Sequence, residues 1–222
     1  MTPIRHNHSD PTGPADPPPA PGRPERAERN RSDADLVLNA ARDCVLAVGV
    51  RRTTLTDVAR RAGVSRMTLY RRWPDVHSLV GDLMTREWTA VAAEAMPPTA
   101  DDRPVRARIV DGLVAGAAAF RAHPLFHKIL DVDPELLLPY ILDRRGASHE
   151  AFLGLLVAVL AAGHEDGSVR RAPVDLQARS LLLVVQSFTL SLRTMTDETD
   201  PDLSEAAFLG ELRTLLERTL TP

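Results

Sequence analysis

Apolar positions in this 222-residue chain recur at steps of three and four, the spacing that gathers side chains on one face of an α-helix. Val37, Ala40, Ala41, Cys44, Val45 and Val48 form one such stripe. They predict a first helix from about Asp33 to Val48, with Ser32 or Asp33 as cap and Gly49 as stop. Val58, Ala59 and Ala62 predict a second helix after Thr54, whose hydroxyl caps it while Asp57 completes a capping box. Gly63 ends this helix in the left-handed conformation and Val64 plugs the turn. Ser65 caps a third helix, Arg66 to about Trp73, in which Leu69 and Trp73 face the first two, and Pro74 closes it. A fourth runs from about Asp75 to Ala95, with Val76, Leu79, Val80, Leu83 and Trp88 inward.

The run Met96-Pro97-Pro98-Thr99 breaks the pattern and marks a boundary. Beyond it, further helical segments are expected at about 103–121, 125–131, 134–162, 173–195 and 203–219. Pro139 and Arg144-Arg145-Gly146 should divide the third of these, and Gly163 to Pro173 reads as a turn. No alternating strand period and no short internal repeat is present, so the expected fold is all-α. The expected division is a tail at 1–31, a helix-turn-helix head at 32–92 and a helical lobe at 100–222. The tail holds eight of the 18 prolines and no apolar run, which predicts disorder. Its Arg23, Arg26, Arg29 and Arg31 are either solvated or reach a phosphate or minor groove.

Charge separates head from lobe. Seven arginines (51, 52, 60, 61, 66, 71 and 72) face a single acid, Asp57, between Arg51 and Arg72, although the whole chain carries −3. Two short helices with a basic rim are suited to placing one helix in the major groove of DNA. The lobe is net acidic, which favours a role away from phosphate. The longest apolar run, Ala151 to Gly163, is too short for a membrane span, and no secretory leader is evident, so no membrane contact is expected. The lone cysteine, Cys44, excludes an intrachain disulfide and fits a reducing, cytoplasmic setting; its place in an apolar stripe favours packing over redox chemistry.

Residues Thr54 to Trp73 resemble the DNA-binding domain of TetR-family transcriptional regulators. The matching positions are Thr54, Asp57, Val58, Ala59, Ala62-Gly63-Val64-Ser65, Thr68-Leu69-Tyr70 and Trp73. Where that family often has Lys, three positions after the aromatic, this chain has Val76, which removes one phosphate contact. In a helix-turn-helix the early turn of the second helix meets base edges. Arg66 suits guanine, and Met67 or Thr68 suits the thymine methyl. Thr54, Ser65, Tyr70, Arg71 and Arg72 are phosphate candidates, with plain capping or packing as the other reading of Thr54, Ser65 and Tyr70.

One such head contacts few bases, so specific binding calls for two copies on a palindromic operator. The last two helices carry stripes at Leu181, Val184, Val185, Phe188 and Leu192, and at Phe208, Leu212, Leu215, Leu216 and Thr219. These are either intramolecular core or, as the resemblance implies, a homodimer interface of paired helices. The resemblance also implies a small-molecule pocket in the lobe. Candidate lining residues are Trp88, Phe120, His123, Phe126, His127, Tyr140, Phe152, Gln186, Phe188 and Met195, each with an alternative as core. Gln186 is the best polar candidate, since it interrupts an apolar helix.

His123 and His127 are four apart, but Pro124 lies between them and no other metal-ligating residue stands at suitable spacing. No metal and no cofactor is expected. HExxH, GxSxG and Gly-rich phosphate loops are all missing, which disfavours an enzyme built on helices. The expected function is a dimeric repressor released from its operator by a small lipophilic ligand. A regulator controlled by a protein partner, or by no effector, is the alternative.

Overall fold

The computed structural model describes residues 23–96, 102–197 and 199–222. The chain divides into two units, residues 1–35 and 36–222. The backbone is helical from Arg23, upstream of the expected start near Asp33, within α1 (Arg23–Val48). Arg23, Arg26, Arg29 and Arg31 therefore sit on a helix rather than in an extended tail. The rest of the expected tail, residues 1–22, lies outside the described residues.

Ten α-helices and no strand occur among the described residues, so the fold is all-α. The head comprises α1, α2 (Leu55–Ala62), α3 (Arg66–Arg72) and the start of α4 (Val76–Ala95). Val37, Ala40, Ala41 and Val45 of α1 are buried with Val58 of α2, Leu69 of α3 and Trp73; Val48, expected on the same stripe, is exposed. Cys44 is a buried free thiol whose pKa is raised, chiefly by burial, which keeps it protonated and inert.

The lobe is α5 (Val105–Ala122), α6 (Pro124–Val132), α7 (Leu138–Leu142), α8 (Ala147–Glu165), α9 (Val174–Ser191) and α10 (Glu205–Leu220). As expected, the chain breaks near Pro139 and again at Arg144 to Gly146. α5 is the axis, packed by α4, α6, α8, α9 and α10. Ile109 and Leu113 of α5, Leu156 and Leu160 of α8, and Leu212 and Leu216 of α10 anchor its core. Of the described helices α8 alone is long and apolar enough to qualify as a membrane span by composition, but its Leu153, Leu156 and Leu160 face that core. Gly163 does not stop α8; a Cβ there would fall 2.4 Å from Val169, so the glycine permits the following loop to fold back. Gly167 takes the positive φ instead, at 73°.

The core corrects one expectation. Leu181, Val185 and Leu192 on the α9 side, and Leu212 and Leu216 on α10, are all buried within the single chain. These members of the two stripes are intramolecular core, while Val184, Leu215 and Thr219 of the same stripes are exposed and Phe208 is half-buried. The apolar side chains that these helices leave exposed are Leu176, Leu183, Val184 and Leu215.

One buried carboxylate ties head to lobe. Asp133, at the end of α6 and 0% exposed, accepts from the Val50 amide at 2.7 Å and from the Arg51 amide at 3.4 Å. The Arg51 guanidinium also reaches Asp133 at 3.6 Å and Glu135 at 2.6 Å. Gly49 makes the approach possible: its φ is +82°, and a Cβ would stand 2.8 Å from Val132.

Asp133→Ala strands the buried Val50 amide and is expected to cost about 1–3 kcal/mol in denaturant unfolding, whereas Asp133→Asn, which keeps an acceptor, should cost less. A second link has a pH signature. Asp111 of α5 accepts from Arg213 of α10 and from Arg103, and these bonds hold its pKa below the usual carboxylate value. A depressed folded pKa contributes stability above the unfolded value, near pH 4, that is lost as pH falls through the folded value. Asp111→Asn should therefore flatten the acid limb of a stability-against-pH curve below about pH 4 and leave its shape above pH 6 unchanged.

Candidate DNA-binding face and lobe cavity

The head presents α3 through three polar N-caps and one glycine C-cap. Thr54 Oγ1 accepts from the Asp57 amide at 3.1 Å and donates to the Asp57 carboxylate at 2.6 Å. The box thus closes between side chains, and the carboxylate also receives Arg60 at 2.7 Å. Gly63, with φ at 69°, ends α2, and the Val64 amide returns to the Ala59 carbonyl. Ser65 Oγ accepts from the Thr68 amide at 3.1 Å and lies 2.9 Å from the Thr68 hydroxyl. Asp75 starts α4 by accepting from the Ser78 amide at 2.7 Å. Each turn is fixed by a short polar side chain, so the angle between α2 and α3 has little freedom.

On this scaffold Arg66, Met67, Thr68, Tyr70, Arg71 and Arg72 are all exposed, as are Thr54 and Ser65. Met67, at 80% exposure, is an apolar side chain held in water with no neighbour to justify it. The arginines separate into two groups. Arg51, Arg60 and Arg61 are already paired, with Glu135, Asp57 and Asp43. Arg72 lies over the Trp73 ring at 4.7 Å. Arg66 and Arg71 have no hydrogen-bond or ion-pair partner among the described residues. Sequence spacing did not reveal the pairs of Arg51 and Arg61, because Glu135 and Asp43 come from other elements; only Asp57 and Arg60, three apart on α2, form a local pair.

The lobe contains a cavity of about 420 Å³ between α4, α5, α8 and α9. Of the expected lining residues, Trp88, Phe120, Phe126, Tyr140, Phe152 and Gln186 are there. Trp88, Phe120 and Phe126 form one aromatic wall, with ring centroids 4.4 Å (Trp88–Phe120) and 4.9 Å (Phe120–Phe126) apart. The polar groups that sequence reasoning missed are Asp82, Thr85, Thr89, Ser148, His149 and Thr189. Burial holds the His149 imidazole below its usual pKa, so it is neutral at pH 7.

His123, Phe188, His127 and Met195 do not line the cavity. His123 instead caps α6, its Nδ1 accepting from the Leu125 amide at 3.3 Å. Its Nε2 faces the buried Glu87 at 3.4 Å. Burial lowers its pKa despite that carboxylate, and the capping bond requires an unprotonated Nδ1, so it is a neutral ring donating through Nε2. Phe188 packs against the lobe core and Met195 is exposed. No cluster of three or more metal-ligating side chains occurs among the described residues.

Cavity and head share a residue. Asp82 of α4 lines the cavity and accepts from the Trp73 indole at 2.9 Å. Trp73 is the residue that ends α3.

Residues 37–81 match the model of the bacterial regulatory proteins of the tetR family. An uncharacterized HTH-type transcriptional regulator of Mycobacterium tuberculosis is 38% identical over 176 residues, 79% of this chain and 88% of its own length. The HTH-type regulator AqdR of Rhodococcus erythropolis is 47% identical over 53 residues, 23% of this chain and 26% of its own. Among solved structures, the R. erythropolis repressor QsdR aligns with a TM-score of 0.63 at 14% identity, covering 86% of this chain and 97% of that one. QsdR supports the fold alone; the mycobacterial relative, similar along most of both chains, settles the lineage, and this chain belongs to the TetR family of bacterial transcriptional regulators.

Proposed function

We propose that this transcriptional regulator is a dimeric repressor that leaves a palindromic operator when a small lipophilic molecule enters the lobe. The observation that carries this reading is the shared Asp82. A ligand that moves the cavity face of α4 moves the residue holding Trp73, and with it the end of the recognition helix. Release requires only that the ligand favour the conformation whose heads no longer match the half-site spacing.

At the DNA, Arg66, Met67 and Thr68 read base edges from the first turn of α3. Thr54, Ser65, Tyr70, Arg71 and Arg72 hold phosphates. The two copies meet through Leu176, Leu183 and Val184 of α9 and Leu215 of α10, the apolar groups that folding of one chain leaves uncovered. This replaces the buried residues of the same helices in the dimer role. The small residues and aromatic wall of the cavity favour an effector over an effector-free regulator, because a void lined this way is costly to keep without an occupant.

Arg66→Ala should lose discrimination at one base pair of the operator, worth about 1–3 kcal/mol, in a binding-site selection; an unchanged site preference refutes its role in base readout. For the effector, Gly116→Leu places a side chain in the cavity where the nearest neighbour of a Cβ is Ala95 at 3.5 Å, an ordinary contact. Wild type screened against lipophilic compounds should be stabilised by roughly 2.7 kcal/mol at one hundred times the Kd of a true ligand. Gly116→Leu should fold and bind operator yet show no such stabilisation. A hit that stabilises both proteins equally binds elsewhere.

A further inference from the structure

A second, more open recess of about 610 Å³ adjoins the first cavity and shares Tyr140, Ile141, His149, Leu182 and Gln186 with it. Its chemistry differs. The inner cavity is walled by Trp88, Phe120, Phe126 and Phe152, whereas the recess adds Arg144, Arg145 and Arg179. All three arginines are exposed at its rim. Arg144 is held over the Tyr140 ring at 5.4 Å, and that ring packs so closely on Gly146 that a Cβ there would stand 2.9 Å from it. Arg179 has no hydrogen-bond or ion-pair partner among the described residues. Arg145 pairs with Glu150, and Asp143 is the other acid of the recess. Two of the three guanidiniums thus stand without a carboxylate partner at the mouth of an apolar chamber, where bound anions are favoured and cations are not.

We propose that the effector is an amphiphile whose hydrocarbon body fills the inner cavity and whose anionic head, a carboxylate or a phosphate, lies between Arg144 and Arg179. The inference rests on the effector reading above and adds the chemical class. Tyr140, Gln186 and the neutral His149 stand at the junction and supply uncharged hydrogen bonds where hydrocarbon meets head group. An uncharged oil fills the chamber but leaves the guanidiniums unused; a cationic amphiphile is repelled at the rim.

The test is titration of the full-length protein with dodecanoate, dodecyl phosphate, dodecanol and dodecyltrimethylammonium, each below its micelle concentration, followed by calorimetry. At least one anion should bind tenfold or more tighter than dodecanol, and the cation should bind most weakly. The tighter of the two anions identifies the head as carboxylate or phosphate. In Arg144→Gln/Arg179→Gln the anion's advantage should shrink to twofold or less while dodecanol affinity stays put, which also shows that the variant folds. Dodecanol matching the anions in wild type, or an anion preference that survives the double substitution, overturns the proposal and leaves the effector reading standing. No binding by any of the four overturns it as well, and the Gly116→Leu comparison then judges the effector reading separately.

Discussion

A buried carboxylate with backbone amides as its partners constrains this molecule more than any other single contact. Asp133 closes α6 and, at the same time, satisfies the amides of Val50 and Arg51 in the turn that leaves α1. Removing water from a carboxylate is expensive unless donors replace it. Here the replacements come from a segment some eighty positions upstream (|i−j|=83 for Val50). The head cannot rotate away from α6 without exposing unpaired polar groups on both sides. Gly49 shows how tightly the two are fitted, since its missing Cβ is the space that Val132 and Asp133 occupy. α6 in turn carries Phe126 into the cavity wall. The cavity therefore meets the head by two routes: through α6 and Asp133 to the end of α1, and through α4 and Asp82 to the end of α3.

The two routes end at different helices, and this matters for regulation. A rigid lever with one attachment transmits any displacement as a rotation about that point. With α1 and α3 both tied to the cavity wall, the proposed ligand would have to tilt the head as a unit, by shifting α4 and α6 together with the contacts they hold. The caps at Thr54, Ser65 and Asp75 keep α2, α3 and α4 in fixed relation while that happens. A head that is stiff inside and tethered at two points is the mechanical link on which the proposed ligand-driven release would depend.

Most of the head was legible in the sequence because its determinants are local. Thr54 with Asp57, Gly63, and Ser65 three residues before Thr68 each act over a single turn, and the start and stop of α2 and α3 follow from them. The helical content of the lobe was legible for the same reason. Its interior was not. An apolar stripe states that a face is covered but not by what, so Leu181, Val185, Leu212 and Leu216 fit a dimer seam and a core equally well until α5 is placed between them. Likewise, five cavity residues were found because aromatics are large and few, and Gln186 because it interrupts an apolar helix, whereas His123 was misassigned because a capping role depends on the direction of one ring. Asp133 gave no signal at all, since its partners lie in a different element.

Two glycines help to keep the cavity open. Gly116 sits inside α5 and Gly81 inside α4, where glycine costs about 1 kcal/mol relative to alanine. Neither is required by sterics: a Cβ at Gly81 would meet nothing within 4 Å, and one at Gly116 only Ala95. Contrast Gly49 and Gly163, where a Cβ would collide with a neighbour and the residue is forced. Gly81 and Gly116 line the cavity, as do Ala92 and Ala117 on the same two helices, whereas Gly154 of α8 and Gly210 of α10, equally unforced, do not. The aromatic rings in contact with one another come partly from these same helices, Trp88 from α4 and Phe120 from α5, with Phe126 from α6. Room on this side of the cavity therefore comes partly from glycine and alanine on α4 and α5, at a cost in helix stability that binding of the proposed effector would offset.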